Sequence, residues 1–239
     1  RVIPLQTWLD DVEVSAGTLI LIRDLTELRD RDRQLVTKDA TIREIHHRVK
    51  NNLQTVAALL RLQSRRMSNS DAKDALKQAM GRVSAIAVVH EILSQNFEEQ
   101  VAFDEVADRI LHMVGDVAAS SGSVVARREG SFGEVPAETA TALSLATTEL
   151  CQNAIEHSLD SSSGNVIVRP HRTDDALVVD IVSDGKPLPE GFSLDNHRSS
   201  LGLSIVTTLM QDLGGTFTLE DNSDRVGTCA RLVIPLQRL

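Results

Sequence analysis

Residues 41–66, TIREIHHRVKNNLQTVAALLRLQSRR, form the stretch around which the rest of the chain is organised. Its apolar side chains recur at alternating steps of three and four residues, the pattern of a helix with one apolar seam. The predicted seam consists of Ile42, Ile45, Val49, Val56 and Leu59, with Asn52 at its one polar position. With Ile42 at heptad position a, His46 falls at e and His47 at f. Position f points away from a partner helix, so we expect the His47 imidazole to be open to another domain.

The composition restricts the classes of protein that this chain can represent. Its 239 residues are 41% apolar but only 3% aromatic, which predicts an aliphatic core of the kind that suits helices. A net charge of −9 argues against general nucleic-acid binding, which needs a basic surface. Cys151 and Cys229 have no metal-ligand spacing and favour a reducing, cytoplasmic location. No apolar run approaches the ~18 residues that a membrane span needs.

The N-terminal residues 1–24 are predicted to form β-strands, chiefly over residues 1–5 and 18–22, with a break at Ala16-Gly17 before the second strand. Residues 23–28, RDLTEL, resemble the R-D-[IVL]-T-E sequence that closes PAS sensor domains. We therefore expect residues 1–25 to be the C-terminal remnant of a PAS-like domain in a fragment of a longer protein. An unrelated hairpin is the alternative.

Two long helices are predicted next, over residues 26–67 and 72–95, joined by a short turn. The seam of the second helix consists of Ala72, Leu76, Ala79, Val83, Ile86, His90 and Leu93. One hairpin cannot bury both seams, whereas two hairpins can do so as a four-helix bundle. Residues 26–97 are therefore predicted to be a dimerisation domain and the chain a homodimer. We interpret His90, on the seam, as a partly buried structural histidine.

Residues 98–239 mix helices with mostly antiparallel strands, which predicts an α+β fold built as a two-layer sandwich. Helices are expected over residues 104–118, 136–158 and 200–213. Strands are expected over residues 100–103, 123–128, 165–171, 176–183, 216–220 and 227–235.

Residues 46–54, HHRVKNNLQ, resemble the phosphoacceptor motif of the HisKA_2/HWE group of sensor histidine kinases. The shared core is H-R-x-K-N, met here by His47, Arg48, Lys50 and Asn51. The resemblance implies that His47 receives the γ-phosphoryl group of ATP, with Lys50 and Asn51 as catalytic neighbours. Only the motif and the heptad placement favour His47 over His46. A polar coiled-coil surface is the alternative interpretation.

Residues 147–158, TTELCQNAIEHS, resemble the N box of the GHKL ATPases, whose Bergerat fold is shared by histidine kinases, DNA gyrase, a class of heat-shock chaperones and MutL. Glu149, Asn153 and either Glu156 or His157 recur at 3-4 spacing and share a face. The amide oxygen of Asn153 suits Mg²⁺, which prefers oxygen ligands. The resemblance implies that Glu149 supports the metal shell or a catalytic water. His157 is expected to contact phosphate or, equally, solvent.

Asp184-Gly185 resembles the D-x-G-x-G box, whose Asp accepts a hydrogen bond from the adenine amino group. The box is one residue short here, because Pro187 stands near the expected second glycine. The resemblance therefore does not predict the backbone path after Asp184.

Residues 199–206, SSLGLSIV, resemble the G-L-G-L box. Gly202 and Leu203 would lie at a helix N-terminus, where free N–H groups bind phosphate. Ser200 occupies the place of the first glycine. Gly227-Thr228 resembles the final G-T element, so Thr228 is expected in the same ATP pocket.

These boxes together predict a two-component sensor histidine kinase, using Mg²⁺-ATP, whose partner is the receiver domain of a response regulator. The HHRVKNNLQ and VHE strings and the linker resemble cytosolic kinases of actinobacteria in particular. The main alternative is a GHKL ATPase that works as a conformational switch without a phosphohistidine. A serine kinase of the anti-sigma type ranks last, because it would lack the paired helices.

Overall fold

The computed structural model describes residues 2–10, 12–20, 26–94, 100–119, 124–159, 163–194, 201–223 and 226–236. The chain divides into two compact units, Arg1–Ile42 and Arg43–Leu239. No helix within the described residues is long and apolar enough to cross a membrane.

The first unit contains an antiparallel hairpin of β1 (Val2–Leu9) and β2 (Val12–Ile20). The second strand begins earlier than predicted and runs through Gly17, which pairs with Leu5 beside a register shift. A shift of this kind lets a ladder accommodate a glycine that would otherwise interrupt it. The predicted PAS-closing motif lies partly outside the described residues, because residues 21–25 are among those not described.

The two predicted long helices are confirmed as α1 (Thr26–Arg66) and α2 (Ser70–Leu93). The side chain of Asn69 caps α2 by accepting hydrogen bonds from the backbone N–H groups of Asp71 and Ala72. The predicted end of the second helix near residue 95 lies outside the described residues.

In the single chain most of the predicted seam of α1 is open to solvent, with Ile45 53% and Leu59 58% exposed, whereas Val49 is half-buried. A different row of α1 is at least half-buried, and two of its members contact α2. This row consists of His46, Lys50, Leu53, Ala57, Leu60 and Ser64. The helix therefore has two rows at 3-4 spacing, one sheltered within the chain and one exposed.

The second unit contains the predicted α+β sandwich as well as α2. Its short strands β3 (Gln100–Ala102) and β5 (Glu134–Pro136) pair antiparallel. The main sheet has the order β4-β6-β7-β9-β8 and is antiparallel except for the β4–β6 pair. Its strands are β4 (Val124–Arg128), β6 (Gly164–Arg172), β7 (Ala176–Ser183), β8 (Thr216–Asp221) and β9 (Thr228–Pro235). The helical layer consists of α3 (Phe103–Ala119), α4 (Ala137–Asn153) and α5 (Leu201–Asp212).

A continuous core joins the sheet to these helices and reaches into α2 through Val89 and Ile92, which are 0% and 2% exposed. The predicted division into residues 26–97 and 98–239 stays a prediction. Strand β5 was not predicted: Pro136 ends this strand and serves as the N-cap of α4 instead of opening its first turn. The predicted helix over residues 136–158 changes character at Asn153, beyond which Ala154–Ser158 is a π-helical turn.

Candidate nucleotide-binding and phosphoacceptor site

A cavity of about 470 Å³ opens between the end of α4, the start of α5 and the strands β7, β8 and β9. Its walls are mainly apolar and come from Leu150, Ala154, Ile181, Pro187, Leu188, Pro189, Phe192, Leu203, Leu219 and Ala230. Its polar lining consists of Asn153, His157, Ser158, Lys186 and Thr228. An apolar slot with a few polar groups at its ends is the usual form of a small-molecule site.

The π-helical turn after α4 shapes one wall of the cavity. The N–H of Leu159 donates to the carbonyl of Ala154 over 3.0 Å, the wider i to i+5 spacing. Such turns occur often at functional sites because they shift side chains off the α-helical register. Here the turn leaves His157 exposed on the cavity wall while the Ser158 side chain is buried, at 5% exposure.

Glu149 marks one end of this site and is 3% exposed. Both of its carboxylate oxygens are held by Arg82 of α2, whose Nε and Nη2 donate over 2.7 and 2.9 Å. These hydrogen bonds raise the pKa of the Arg82 guanidinium. Gly202 abuts the same carboxylate, since a Cβ there would lie 2.7 Å from Glu149 Oε2 and 3.6 Å from the Asn153 amide nitrogen. The predicted N box and G-L-G-L box therefore meet at this point.

Uncharged hydroxyl groups form the other end of the site. Buried Ser183 donates to Ser158 Oγ over 2.7 Å and lies 2.9 Å from the hydroxyl of Thr228. Gly227 lets the last strand approach, because a Cβ at its φ of +138° would lie 2.0 Å from the Ser183 carbonyl oxygen. Gly185 likewise packs directly on the carbonyl of Ser158.

Asp184, predicted as the adenine reader, does not line the cavity. Its carboxylate accepts hydrogen bonds from the backbone and side-chain N–H groups of Asn165, both over 2.6 Å. Its role in binding adenine stays a prediction. The cluster of Ser158, Ser183 and Thr228 was not predicted from the sequence, although the spacing of the D-x-G pattern indicates one of its members. Counted back from Gly185, the acidic position of the D-x-G pattern falls on Ser183.

The predicted phosphoacceptor region presents its two histidines differently. His47 is exposed, as is Asn51 one turn later. His46 turns toward α2, where its Nδ1 lies 2.9 Å from Nδ1 of His90. Burial, and secondly the charge of His46, lower the pKa of His90, which fits the structural role expected of it.

Lys50, predicted to be catalytic, lies in the sheltered row with His46. Its Nζ is 3.8 Å from Glu91 Oε1 of α2, and its side chain is 20% exposed. Arg48 is bonded to Glu44 on the surface of α1, at 2.6 Å. Both cations therefore have carboxylate partners, and reaching a phosphoryl group at His47 would require them to exchange these partners.

The residues at the Glu149 end fit a magnesium nucleotide. The Asn153 amide and the Glu149 carboxylate offer oxygen donors beside a glycine at the start of a helix, where phosphate can approach the backbone. The donor set contains no dense cluster: among the described residues no group of three or more His, Cys, Asp or Glu side chains could hold a metal. A nucleotide would have to supply the remaining oxygen ligands, as is usual for Mg²⁺.

Two family models match this chain in the order of its two halves. The HisKA_2 model, described as histidine kinase, matches residues 44–118. The HATPase_c model, described as histidine kinase-, DNA gyrase B- and HSP90-like ATPase, matches residues 138–238. The chain belongs to the histidine kinases. The resemblance inferred from its phosphoacceptor and nucleotide boxes is thereby confirmed.

Its relatives within the histidine kinases include a sensor histidine kinase and a blue-light-activated histidine kinase. The chain is 50% identical to the sensor histidine kinase PdtaS of Mycobacterium tuberculosis over 227 residues, which are 94% of this chain and 45% of that protein. It is 27% identical to blue-light-activated histidine kinase 2 of Erythrobacter litoralis, over 89% of this chain and 61% of the relative. The chain thus spans about half the length of PdtaS.

A solved structure shows the same histidine kinase architecture. The histidine kinase domain of the Erythrobacter litoralis EL346 blue-light activated histidine kinase superposes with a TM-score of 0.60 at 26% identity. The match covers 87% of this chain and 94% of that domain. This chain and that domain therefore share the arrangement of a helical hairpin followed by an α+β sandwich.

Proposed function

We propose that this chain is the kinase core of a two-component sensor, which transfers the γ-phosphoryl group of ATP to His47 and then to an aspartate of a response-regulator receiver domain. The observation that carries the proposal is the pairing of an exposed His47 on α1 with a cavity lined by Asn153, beside which Glu149 and Gly202 lie in contact. Because ATP is an intracellular substrate, we place the reaction in the cytoplasm.

The cavity divides naturally between the parts of the nucleotide. Its apolar slot, floored by Ile181 and Ala230, suits the adenine ring, and the Thr228 hydroxyl can pair with a polar edge of the base. The triphosphate would lie toward Gly202 and Leu203, at the N-terminus of α5, because a helix N-terminus presents backbone N–H groups to phosphate. Asn153 would hold Mg²⁺, which neutralises phosphate charge as the phosphoryl group moves.

His47 acts as the nucleophile in this proposal. A neutral ring nitrogen attacks the γ-phosphorus in line, so the N–P bond forms as the bond to the ADP oxygen breaks. Glu149 supports the metal shell or takes up the proton that the imidazole loses. His47 needs no further unmasking to meet a receiver domain, since its side chain already lies at the surface.

A homodimer is part of the proposal. Ile42, Ile45, Val56, Leu59 and Leu62 are 41–58% exposed along α1. Monomers avoid contiguous apolar stripes of this kind, which mark association sites. A second hairpin placed on this stripe would complete the four-helix bundle.

Incubation with γ-labelled ATP and Mg²⁺ tests the proposal. We expect label on the protein that is lost in acid and kept in alkali, as for a phosphohistidine. Acid-stable label would indicate a serine kinase. Release of free phosphate without any labelled protein would favour the ATPase switch and overturn the kinase proposal.

A further inference from the structure

The hairpin and the nucleotide site are joined by one ion pair whose carboxylate is also a proposed catalytic group. Arg82 reaches from α2 and binds both oxygens of Glu149 in the fork geometry that makes Arg–carboxylate pairs strong. The pair is sheltered, with Arg82 at 17% and Glu149 at 3% side-chain exposure. In this arrangement the charge of the Glu149 carboxylate is already neutralised by Arg82 of α2.

The pair lies directly beside the place proposed for the phosphates. The same oxygen of Glu149, Oε2, accepts from Arg82 Nη2 and lies against Gly202 at the start of α5. A magnesium nucleotide arriving there brings a cation that can replace Arg82 as the partner of Glu149, while the guanidinium moves into water. Breaking a sheltered ion pair outright is costly, but giving the more buried carboxylate a new cationic partner removes most of that cost.

Helix α2 meets the rest of the unit in two different ways. Its C-terminal half is anchored in the core by Val89 and Ile92. Its N-terminal half meets the end of α4 and the π-helical turn through polar groups: Gln78 donates to Glu156 of the turn over 3.4 Å, and a Cβ at Gly81 would lie 2.6 Å from the amide nitrogen of Gln152 in α4. The N-terminal half can therefore separate from α4 without exposing core.

We propose that the Arg82–Glu149 pair is a nucleotide-sensitive latch, which holds the N-terminal half of α2 on α4 in the empty enzyme and opens when Mg²⁺-ATP binds. Arg82 is thus a positioning residue that keeps Glu149 out of the reaction until substrate is present. The inference rests on the proposed function, because it assigns regulation to the same site. Opening of the Arg82–Glu149 pair would couple nucleotide binding to movement of the phosphoacceptor hairpin.

Calorimetric titration of the full chain with AMP-PNP, a non-hydrolysable ATP analogue, provides the first readout. Arg82→Gln should bind AMP-PNP in Mg²⁺ roughly tenfold more tightly than the wild type, equivalent to about 1.4 kcal/mol, because no latch has to open. In EDTA the two proteins should bind alike. Arg82→Lys, which keeps the charge but not the fork, should fall between them.

The matched control is Arg231→Gln. Arg231 also binds a carboxylate through two hydrogen bonds, to Asp180 over 2.6 and 2.8 Å, but its side chain is 55% exposed and lies in β9. Its loss should leave AMP-PNP affinity unchanged. Equal affinity of Arg82→Gln and wild type in Mg²⁺ would overturn the latch, as would weaker binding by Arg82→Gln.

Electron-spin distance measurements provide a readout of movement. Spin labels at Ala75→Cys in α2 and Asp174→Cys in the sandwich, both exposed positions, would be placed in a Cys229→Ser background. We expect AMP-PNP with Mg²⁺ to shift the wild-type distance distribution, and Arg82→Gln to show the shifted distribution without nucleotide. A wild-type distribution unchanged at saturating AMP-PNP would overturn the latch and leave the kinase proposal standing. Failure of the wild type to bind AMP-PNP at all would overturn both.

Discussion

Helices α1 and α4 both contain a predicted functional motif, but His47 of the motif on α1 is exposed whereas Glu149 of the motif on α4 is buried. On α4 the residues around Glu149 are buried, including Leu143 at 0% and Leu150 at 3% exposure, and Glu149 itself has a bidentate partner. On α1 the motif residue His47 is exposed, and so is the apolar row that contains Ile45 and Leu59. The helix proposed to contact the nucleotide is therefore packed within the chain, whereas the helix proposed to meet other proteins keeps His47 and apolar side chains exposed.

The largest contrast should appear in stability. Leu143→Ala removes a fully buried side chain of α4 and should lower the free energy of unfolding by about 2–5 kcal/mol. Leu59→Ala, at 58% exposure on α1, should change it by less than roughly 0.5 kcal/mol at concentrations where the chain is monomeric. Urea denaturation of both variants measures the difference. Similar losses for the two would mean that α1 is as fully packed as α4.

Association should show the reverse contrast. Leu59→Asp places a charge in the exposed apolar row and should weaken the proposed dimer by at least about tenfold in Kd, or 1.4 kcal/mol. Gln54→Asp, an exposed position on another face of α1, serves as the charge-matched control. Sedimentation velocity at micromolar concentration measures both. A wild type that sediments as a monomer would contradict the dimer.

The base end of the cavity gives a smaller effect. Thr228→Val removes a hydroxyl without changing size and should weaken ATP binding by about 1 kcal/mol, or roughly fivefold in Kd. Asp184→Ala should change the Kd by less than about twofold, or 0.5 kcal/mol, because its carboxylate faces Asn165 outside the cavity. Calorimetry of the two variants decides between the adenine reader expected from the motif and the hydroxyl cluster. A larger loss for Asp184→Ala would favour the motif.

The smallest effect concerns pH and the sheltered row of α1. Burial and the nearby His46 lower the pKa of His90 below its ordinary value of 6.5, so the unfolded chain binds more protons there than the folded chain. Stability from this site is therefore complete above pH 6.5 and is lost as the pH falls through the lowered value. His90→Asn should flatten the acid-side decline in unfolding free energy, while His171→Asn, at an exposed position, should not. An unchanged decline in His90→Asn would show that other groups cause it.

The sequence predicted the elements well where periodicity or a motif was strong. The long helices and the strands of the main sheet followed from spacing, whereas the joining of Glu149, Asn153 and Gly202 in one place followed from the resemblance of their boxes to one family. Spacing alone could not predict which row of α1 side chains is buried within the chain. The apolar row through Ile45 and the sheltered row through His46 have the same 3-4 period, and the polar residues of the second row concealed it.

Contacts between distant residues were beyond the reach of sequence patterns. The Arg82–Glu149 pair joins helices that are separated along the chain by α3 and by the short strands β3, β4 and β5, and an arginine on a helix surface gives no sign of its partner. The π-helical turn at Ala154–Ser158 has no distinctive composition either. Ser183 was missed because the box was read from its only acidic residue, Asp184, instead of from the spacing to Gly185.

The central claim is that the exposed histidine of α1, and not its sheltered neighbour, receives phosphate from the site on α4. Autophosphorylation with γ-labelled ATP should be abolished in His47→Gln, with AMP-PNP affinity unchanged, because His47 lies at the surface of α1 and does not line the cavity. His46→Gln should retain much of the activity, since it loses only the contact with His90. A His47→Gln protein that still acquires acid-labile label, or a His46→Gln protein that acquires none, would contradict the account.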